Sequence, residues 1–318
     1  MYSLFEELFI AQSLDIQPCD LLSSSKKLRR FLSTLKVDQP DPYFAEQFTR
    51  CVVAFAQENT ESLRSYFAGD CSLTTLNKAF VQQIFNQQWH MDLTRSAMLQ
   101  SLGANFESCT DFYVKTVLSS FVPKKNLKML GFGLGSGFYE SALARFLIQS
   151  GKVESVEFFG YDPYAGLIPG MQMLSTVDLA SETLVLEFDL IIARWSLHHV
   201  HAEERWTPFI QALNKLSSKS LAIIIEHGYT TPTLREKGLE RLYLLLNTWI
   251  DVIANIGIVP DWFTASAPTY GDNFYVDYLR TADVTQFQTT CKHSLVLQTL
   301  QSGPIFPWQD IFVFSVVL

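Results

Sequence analysis

A glycine-rich turn set between an apolar run and a helical segment constrains this chain most. Met129-Leu130-Gly131-Phe132-Gly133-Leu134-Gly135-Ser136-Gly137 continues the run that starts at Leu127, and helical patterning extends from Ser136 to Ser150, where Gly151 stops it. A strand that enters a helix through glycines leaves free N–H groups at the helix start and no side chains to hold a ligand away. The pattern then recurs. Val156–Phe159, Phe188–Ala193 and Leu221–Ile225 read as strands, with a helical segment from Ala202 to Leu216 between the last two. Such alternation predicts an α/β fold, a mostly parallel sheet with helices on both faces. The end of the chain departs from it. Leu295–Leu300 and Ile311–Val317 are joined by a Gly/Pro-containing loop with no helix between, which predicts a C-terminal antiparallel hairpin.

Before the turn the period is helical. Leu28, Phe31, Leu32 and Leu35 share one face, as do Phe44, Phe48, Cys51, Val52 and Phe55. Leu73, Leu76, Phe80 and Ile84 repeat the spacing with Ser72 as N-cap, and Val114, Val117, Leu118 and Phe121 form a last stripe before Pro123. The chain is therefore expected to divide into an N-terminal helical region, 1-122, and an α/β domain, 123-318, that carries an insertion at 230-294. The insertion holds an apolar helix (Leu239, Leu242, Leu246, Trp249, Ile253) and an aromatic segment from Trp262 to Tyr278. With 48% hydrophobic and only 18% charged residues, both parts can bury a core.

The same composition excludes several functions. A net charge of -8 speaks against nucleic-acid partners, which need a basic face. The cluster Lys26, Lys27, Arg29 and Arg30 reads as a solvated helix face. Cys19, Cys51, Cys71, Cys109 and Cys291 are odd in number and form no CxxC pair, which fits reduced thiols in a cytoplasmic protein. The first residues carry Glu6 and Glu7 where a signal peptide needs apolar ones, and no apolar run reaches the about 18 residues of a membrane span. His198, His199, His201 and His227 cluster near strand ends, but adjacent histidines on one loop seldom converge on one ion, so no metal is expected.

The turn is not a dinucleotide fingerprint. The third glycine of that pattern falls on Phe138 when read from Gly133 and on Ser136 when read from Gly131, and no P-loop lysine follows. Asp162, at the end of the next strand in Tyr161-Asp162-Pro163, can accept both hydroxyls of a ribose, as acids at this point of α/β sheets do. The loop after Ala193, with His198 and His199, and the end of the following strand, with His227, lie where such sheets carry chemistry.

Together the glycine turn and the segment Phe188-Asp189-Leu190 through His198-His199 resemble motifs I and IV of class I S-adenosylmethionine-dependent methyltransferases of the small-molecule type. The resemblance implies a Rossmann-like sheet and S-adenosyl-L-methionine as cofactor. It implies that Gly133, Leu134, Gly135, Ser136 and Gly137 line the methionine end of that cofactor, that Asp162 and Pro163 meet the ribose, that Asp178 meets the adenine, and that Arg194 and Trp195 touch the cofactor. His198, His199 and His227 are then candidates for the base or for orienting the nucleophile. In that family an acid stands two residues before the first glycine. Here the position is Gly131, and Glu140 is the candidate substitute. The same departure keeps open a non-methylating or regulatory protein of this fold. A small-molecule acceptor is expected, no membrane or nucleic-acid partner, and a substrate cover or homodimer contact made by the N-terminal helices.

Overall fold

The computed structural model describes residues 18–34, 42–87, 118, 125–134, 137–162, 170–182, 186–199, 202–227, 241, 242, 244–246, 248, 249, 281–292, 294–301 and 309–316. The chain forms two compact units. One holds Met1–Ala104, Gly228–Tyr275 and Gly303–Trp308, and the other holds Asn105–His227, Val276–Ser302 and Gln309–Leu318.

The first unit is helical. It contains α1 (Pro18–Leu22), α2 (Ser25–Thr34), α3 (Pro42–Glu58), α4 (Thr60–Ala68) and α5 (Leu73–Asn86). Ser72 caps α5 as expected, its Oγ accepting the Thr75 N–H at 3.1 Å. Phe48, Cys51, Val52 and Phe55 from α3 are buried with Leu76, Phe80 and Ile84 from α5, so the spacing that marked these helices is the spacing of their core faces. Helical residues Leu242, Leu246 and Trp249 join this core. Trp249 stacks on Phe80 at 4.3 Å between ring centroids and meets the edge of Phe55 at 5.2 Å. The Tyr66 hydroxyl donates to the Arg241 carbonyl at 3.0 Å, and the Arg241 guanidinium donates back to the Tyr66 carbonyl. Apart from Leu118, which is helical and buried, the last stripe lies outside the described residues, as do Leu239, Ile253 and the aromatic segment Trp262 to Tyr278.

The second unit is the α/β domain. Its strands are β1 (Asn126–Phe132), β2 (Ser155–Tyr161), β3 (Gln172–Met173), β4 (Phe188–Arg194), β5 (Leu216–His227), β6 (Leu295–Gln301) and β7 (Gln309–Val316). Its helices are α6 (Phe138–Gln149), α7 (Thr176–Ala180), α8 (Ala202–Leu213) and α9 (Thr281–Thr290). The sheet runs β3-β2-β1-β4-β5-β7-β6. Strands β1 to β5 pair in parallel, while β7 is antiparallel to both β5 and β6. This is the Rossmann-like sheet with a C-terminal antiparallel hairpin that the sequence predicts. The hairpin folds back so that its second strand, β7, takes the place beside β5 and leaves β6 at the edge.

Alternation along each central strand sorts side chains onto two faces. Leu130, Ile191, Ala193, Ala222, Ile224 and Phe312 pack on one side with Phe209 of α8 and Phe287 of α9. Leu127, Met129, Leu190, Ile192, Ile223 and Val313 pack on the other with Leu143 and Leu147 of α6. Both faces are thus covered, and the apolar runs of β4 and β5 follow from that burial. One charged side chain interrupts them. Asp189, nearly buried in β4, accepts the Lys128 N–H through Oδ2 and the Ser217 hydroxyl through Oδ1, both at 2.9 Å, and so ties β4 to its two neighbours.

Replacing Asp189 with alanine removes the acceptor of the half-buried Lys128 N–H and one partner of the Ser217 hydroxyl. Stability should fall by about 1–3 kcal/mol. Chemical denaturation would read this as a lower midpoint at an unchanged slope.

Candidate active site at the carboxyl ends of the strands

The order of the parallel strands reverses between β1 and β4, and such a switch point opens a crevice at the carboxyl ends of the strands. In register, Phe132 faces Tyr161 of β2 and Ala193 of β4, and Arg194 faces Ile225 of β5. The residues that follow these positions therefore share one end of the sheet.

Gly133 leaves β1 with φ +65°, the left-handed region open to glycine. Its N–H donates to the Tyr161 carbonyl at 2.6 Å. A Cβ at this position would stand 2.2 Å from Cβ of Ser196, so the backbones of the two loops approach as closely as a missing side chain permits. Ser196 reinforces the contact by donating its hydroxyl to the Phe132 carbonyl at 2.9 Å. Leu134 is buried, and Gly137, also left-handed at φ 69°, caps the start of α6. Gly135 and Ser136 lie outside the described residues.

Asp162 follows β2 directly and is partly buried, and Pro163 lies outside the described residues. Asp178 is elsewhere engaged. Its Oδ2 accepts the N–H and the hydroxyl of Ser175, each at 2.7 Å, while Ser175 Oγ accepts the Asp178 N–H at 3.2 Å. This capping box starts α7, and the bonds from Ser175 hold the exposed carboxyl below its usual range. Helix capping accounts for this acid, so the adenine contact stays an implication of the resemblance with no support in the local geometry.

The loop after β4 is built on Glu226. This residue, 1% exposed near the end of β5, accepts the N–H groups of Ser196 at 3.2 Å and Leu197 at 2.9 Å through Oε1. Its Oε2 pairs with Nδ1 of His198, whose ring is fully buried. The His199 ring lies against that of His198, with centroids 4.1 Å apart. His227 ends β5 opposite Gln309, and its side chain lies outside the described residues. The sequence reading named all three histidines and missed Glu226. The available signal was an acid ending the apolar run Ile223-Ile224-Ile225.

Arg194 closes β4, and its guanidinium carbon sits 3.8 Å from the Trp195 ring centroid and 4.4 Å from that of Tyr139. Trp195 takes a positive φ of 49°, held there by its N–H bond to the Ile225 carbonyl at 2.8 Å. Glu140, in the first turn of α6, is buried, and its carboxyl is pushed up to about 7, chiefly by burial. Its own backbone N–H and Arg194 pull it down, and Asp162 pushes it up. Among the described residues no group of three or more His, Cys, Asp or Glu side chains is placed to hold a metal ion, and no helix is long and apolar enough to cross a membrane.

No family model and no curated protein matches the chain. Solved structures do resemble it. The selenomethionine-substituted CurJ carbon methyltransferase is 12% identical, over 92% of this chain and 71% of that one, with a TM-score of 0.42. The trans-methyltransferase CalH, in complex with S-adenosylhomocysteine, is 12% identical over 94% and 75%, with a TM-score of 0.41. Magnesium protoporphyrin IX methyltransferase from Synechocystis PCC 6803, with bound S-adenosylmethionine, is 13% identical over 76% and 97%, with a TM-score of 0.40. Likeness at these identities concerns the fold, which the strand order of this chain defines independently.

Glu140 links stability to pH. Below its ordinary value of 4.5 the carboxyl is protonated in both states and contributes no slope. Between 4.5 and about 7 the unfolded chain releases the proton first, so stability should fall as the pH rises through that window. Glu140→Gln, permanently neutral, should remove the slope and at about pH 8 exceed the native protein by about 3 kcal/mol. Equal denaturation midpoints for the two proteins at pH 5 and pH 8 would contradict this.

Proposed function

We propose that this chain is an S-adenosylmethionine-dependent methyltransferase acting on a small-molecule acceptor whose reacting atom starts protonated, a hydroxyl or an acidic carbon. The observation that carries the reading is the buried Glu226–His198 pair, on the loop that also packs against the glycine turn. The turn fits such a cofactor. Gly133 has no room for a side chain, and Asp162, directly after β2, is the carboxylate that would accept the ribose diol in this reading. Nearby, Oε2 of Glu140 and Nε of Arg194 are buried with no hydrogen-bond partner, as polar atoms waiting on a ligand would be. When bound, the cofactor supplies a methyl group on a positively charged sulfur that is already a good leaving group.

The chain must align the acceptor, exclude water and take up a proton. Glu226 accepting from Nδ1 of His198 sets the tautomer and leaves Nε2 as the basic nitrogen. Enclosure of the pair keeps competing water away. The same carboxylate holds the Ser196 and Leu197 N–H groups, so the loop that carries the base cannot shift without breaking them.

Two experiments test this reading. His198→Ala should lower methyl transfer by about 10²–10⁴-fold with little change in cofactor affinity, and Glu226→Gln should lower turnover in the same direction. His199→Ala and His227→Ala should cost less. Full turnover in all of these variants would mean an acceptor that needs no base. Separately, Asp162→Ala should weaken S-adenosylhomocysteine binding by about 1.5–3 kcal/mol in calorimetry. No loss there would place the ribose elsewhere.

A further inference from the structure

The sheet ends differently on its two sides. One edge is β3, only two residues long. The other is β6, a seven-residue strand that pairs with β7 in unbroken register, from Leu295 opposite Val316 to Gln301 opposite Asp310. In an antiparallel ladder alternate residues turn their N–H and C=O groups toward the partner strand, and the rest turn theirs away. Among the described residues no strand meets the outer row of β6. The one side-chain bond to its backbone among them is at its first residue, where Gln288 of α9 donates its amide to the Leu295 carbonyl at 2.5 Å.

Folded proteins blunt such an edge with charged side chains, proline, a bulge or a short strand. The short strand β3 follows this rule. The segment Leu295-Val296-Leu297-Gln298-Thr299-Leu300-Gln301 does not: it holds no charge, no proline and no glycine, and its register has no bulge. The stretch without Asp, Glu, Lys or Arg runs on to Gln309. Leu295 is buried and Leu297 partly buried in the layer that α9 enters through Val284 and Phe287. Val296, 52% exposed, and Gln298, also exposed, alternate with them and so stand on the other face. An apolar side chain half in water thus borders an open row of backbone groups.

We propose that β6 is a homodimer contact, in which the β6 strands of two copies pair antiparallel across a two-fold axis and join two sheets into one. The chemistry of the edge selects a second copy as its occupant. Only extended backbone meets such a row along its length, and a two-fold axis brings the same strand in the antiparallel sense, which continues the pattern of β7. Charge points the same way. Each chain carries a net charge of -8, so two copies repel, and a contact strand free of charged side chains sets no like pair face to face. Pairing uses up the long edge of each copy and leaves only the two short β3 edges, so assembly closes at the dimer. One strand pair is small beside a standard interface of about 1,600 Å², so the dimer is a weak one, with a Kd of about 1–100 μM. The inference rests on the sheet alone and is independent of the functional reading above.

Sedimentation across that concentration range, with hydrogen exchange read segment by segment, tests the contact. The native chain should pass from monomer to dimer, and amide protection in β6 should rise with concentration while that of β4 stays constant. Val296→Lys and Gln298→Lys, both at exposed positions, bring like charges together at the two-fold axis and should each raise Kd at least about 10-fold with an unchanged denaturation midpoint. Ile148→Lys, at an exposed apolar position on α6, should leave Kd unchanged. The exchange measurement needs no variant and decides the question alone if a variant does not fold. A native chain that stays monomeric through the range overturns the proposal. So does a dimer whose β6 protection ignores concentration, one that both β6 variants leave intact, or one that Ile148→Lys weakens equally. Association that continues past the dimer overturns it as well, because the two-fold pairing leaves no long edge free.

Discussion

The arrangement of this site depends on one carboxylate. Glu226 gathers two backbone N–H groups and a histidine nitrogen from the loop after β4. A buried carboxyl is costly unless its oxygens find partners. Three of its partners come from consecutive residues, Ser196, Leu197 and His198. The carboxylate therefore fixes the path of the loop as well as the pose of one side chain. Without it, the positive φ of Trp195 would lose part of the framework that enforces it.

Constraint then passes from loop to turn. Ser196, held by Glu226 at its N–H, donates its hydroxyl to Phe132 and fills the space beside Gly133. The glycine in turn binds the end of β2 through Tyr161. Three strand ends, β5, β1 and β2, are thereby connected through short polar contacts, while the apolar layers on both faces hold the strands themselves. The preorganisation of the crevice is backbone work, with glycines and a serine as its parts.

Much of this was legible in the sequence. The alternating runs identified β1, β2, β4 and β5, and the absence of a helix between the last two runs identified the hairpin, because burial on both faces and period-two patterning are local properties. The position of β7 was not legible, since the choice of neighbour depends on edge pairing between segments far apart in the chain. Asp178 illustrates another limit. Ser175 three residues before it is the capping-box spacing, a local signal that competes with any functional reading of the acid. Glu226 and His198 lie 28 residues apart on different elements, and no periodicity connects them. Gly131 looked like a missing acid. Glu140 was the candidate substitute, and the packing sets its side chain directly beside Gly131.

Placing β7 between β5 and β6 also has a consequence for how the sheet is completed. Strand β5 and the hairpin are separated by a long stretch of chain that belongs largely to the other unit. Until β7 arrives, the apolar run Leu221–Ile225 presents one edge of unpaired backbone groups, the kind of edge on which strands of other molecules add. β6 cannot cover it, because β6 meets the sheet only through β7. The β5 edge of the five parallel strands can therefore be covered only after the segment that carries β7 has been made. An unpaired edge of this kind is the feature on which a second copy of the chain could add during synthesis.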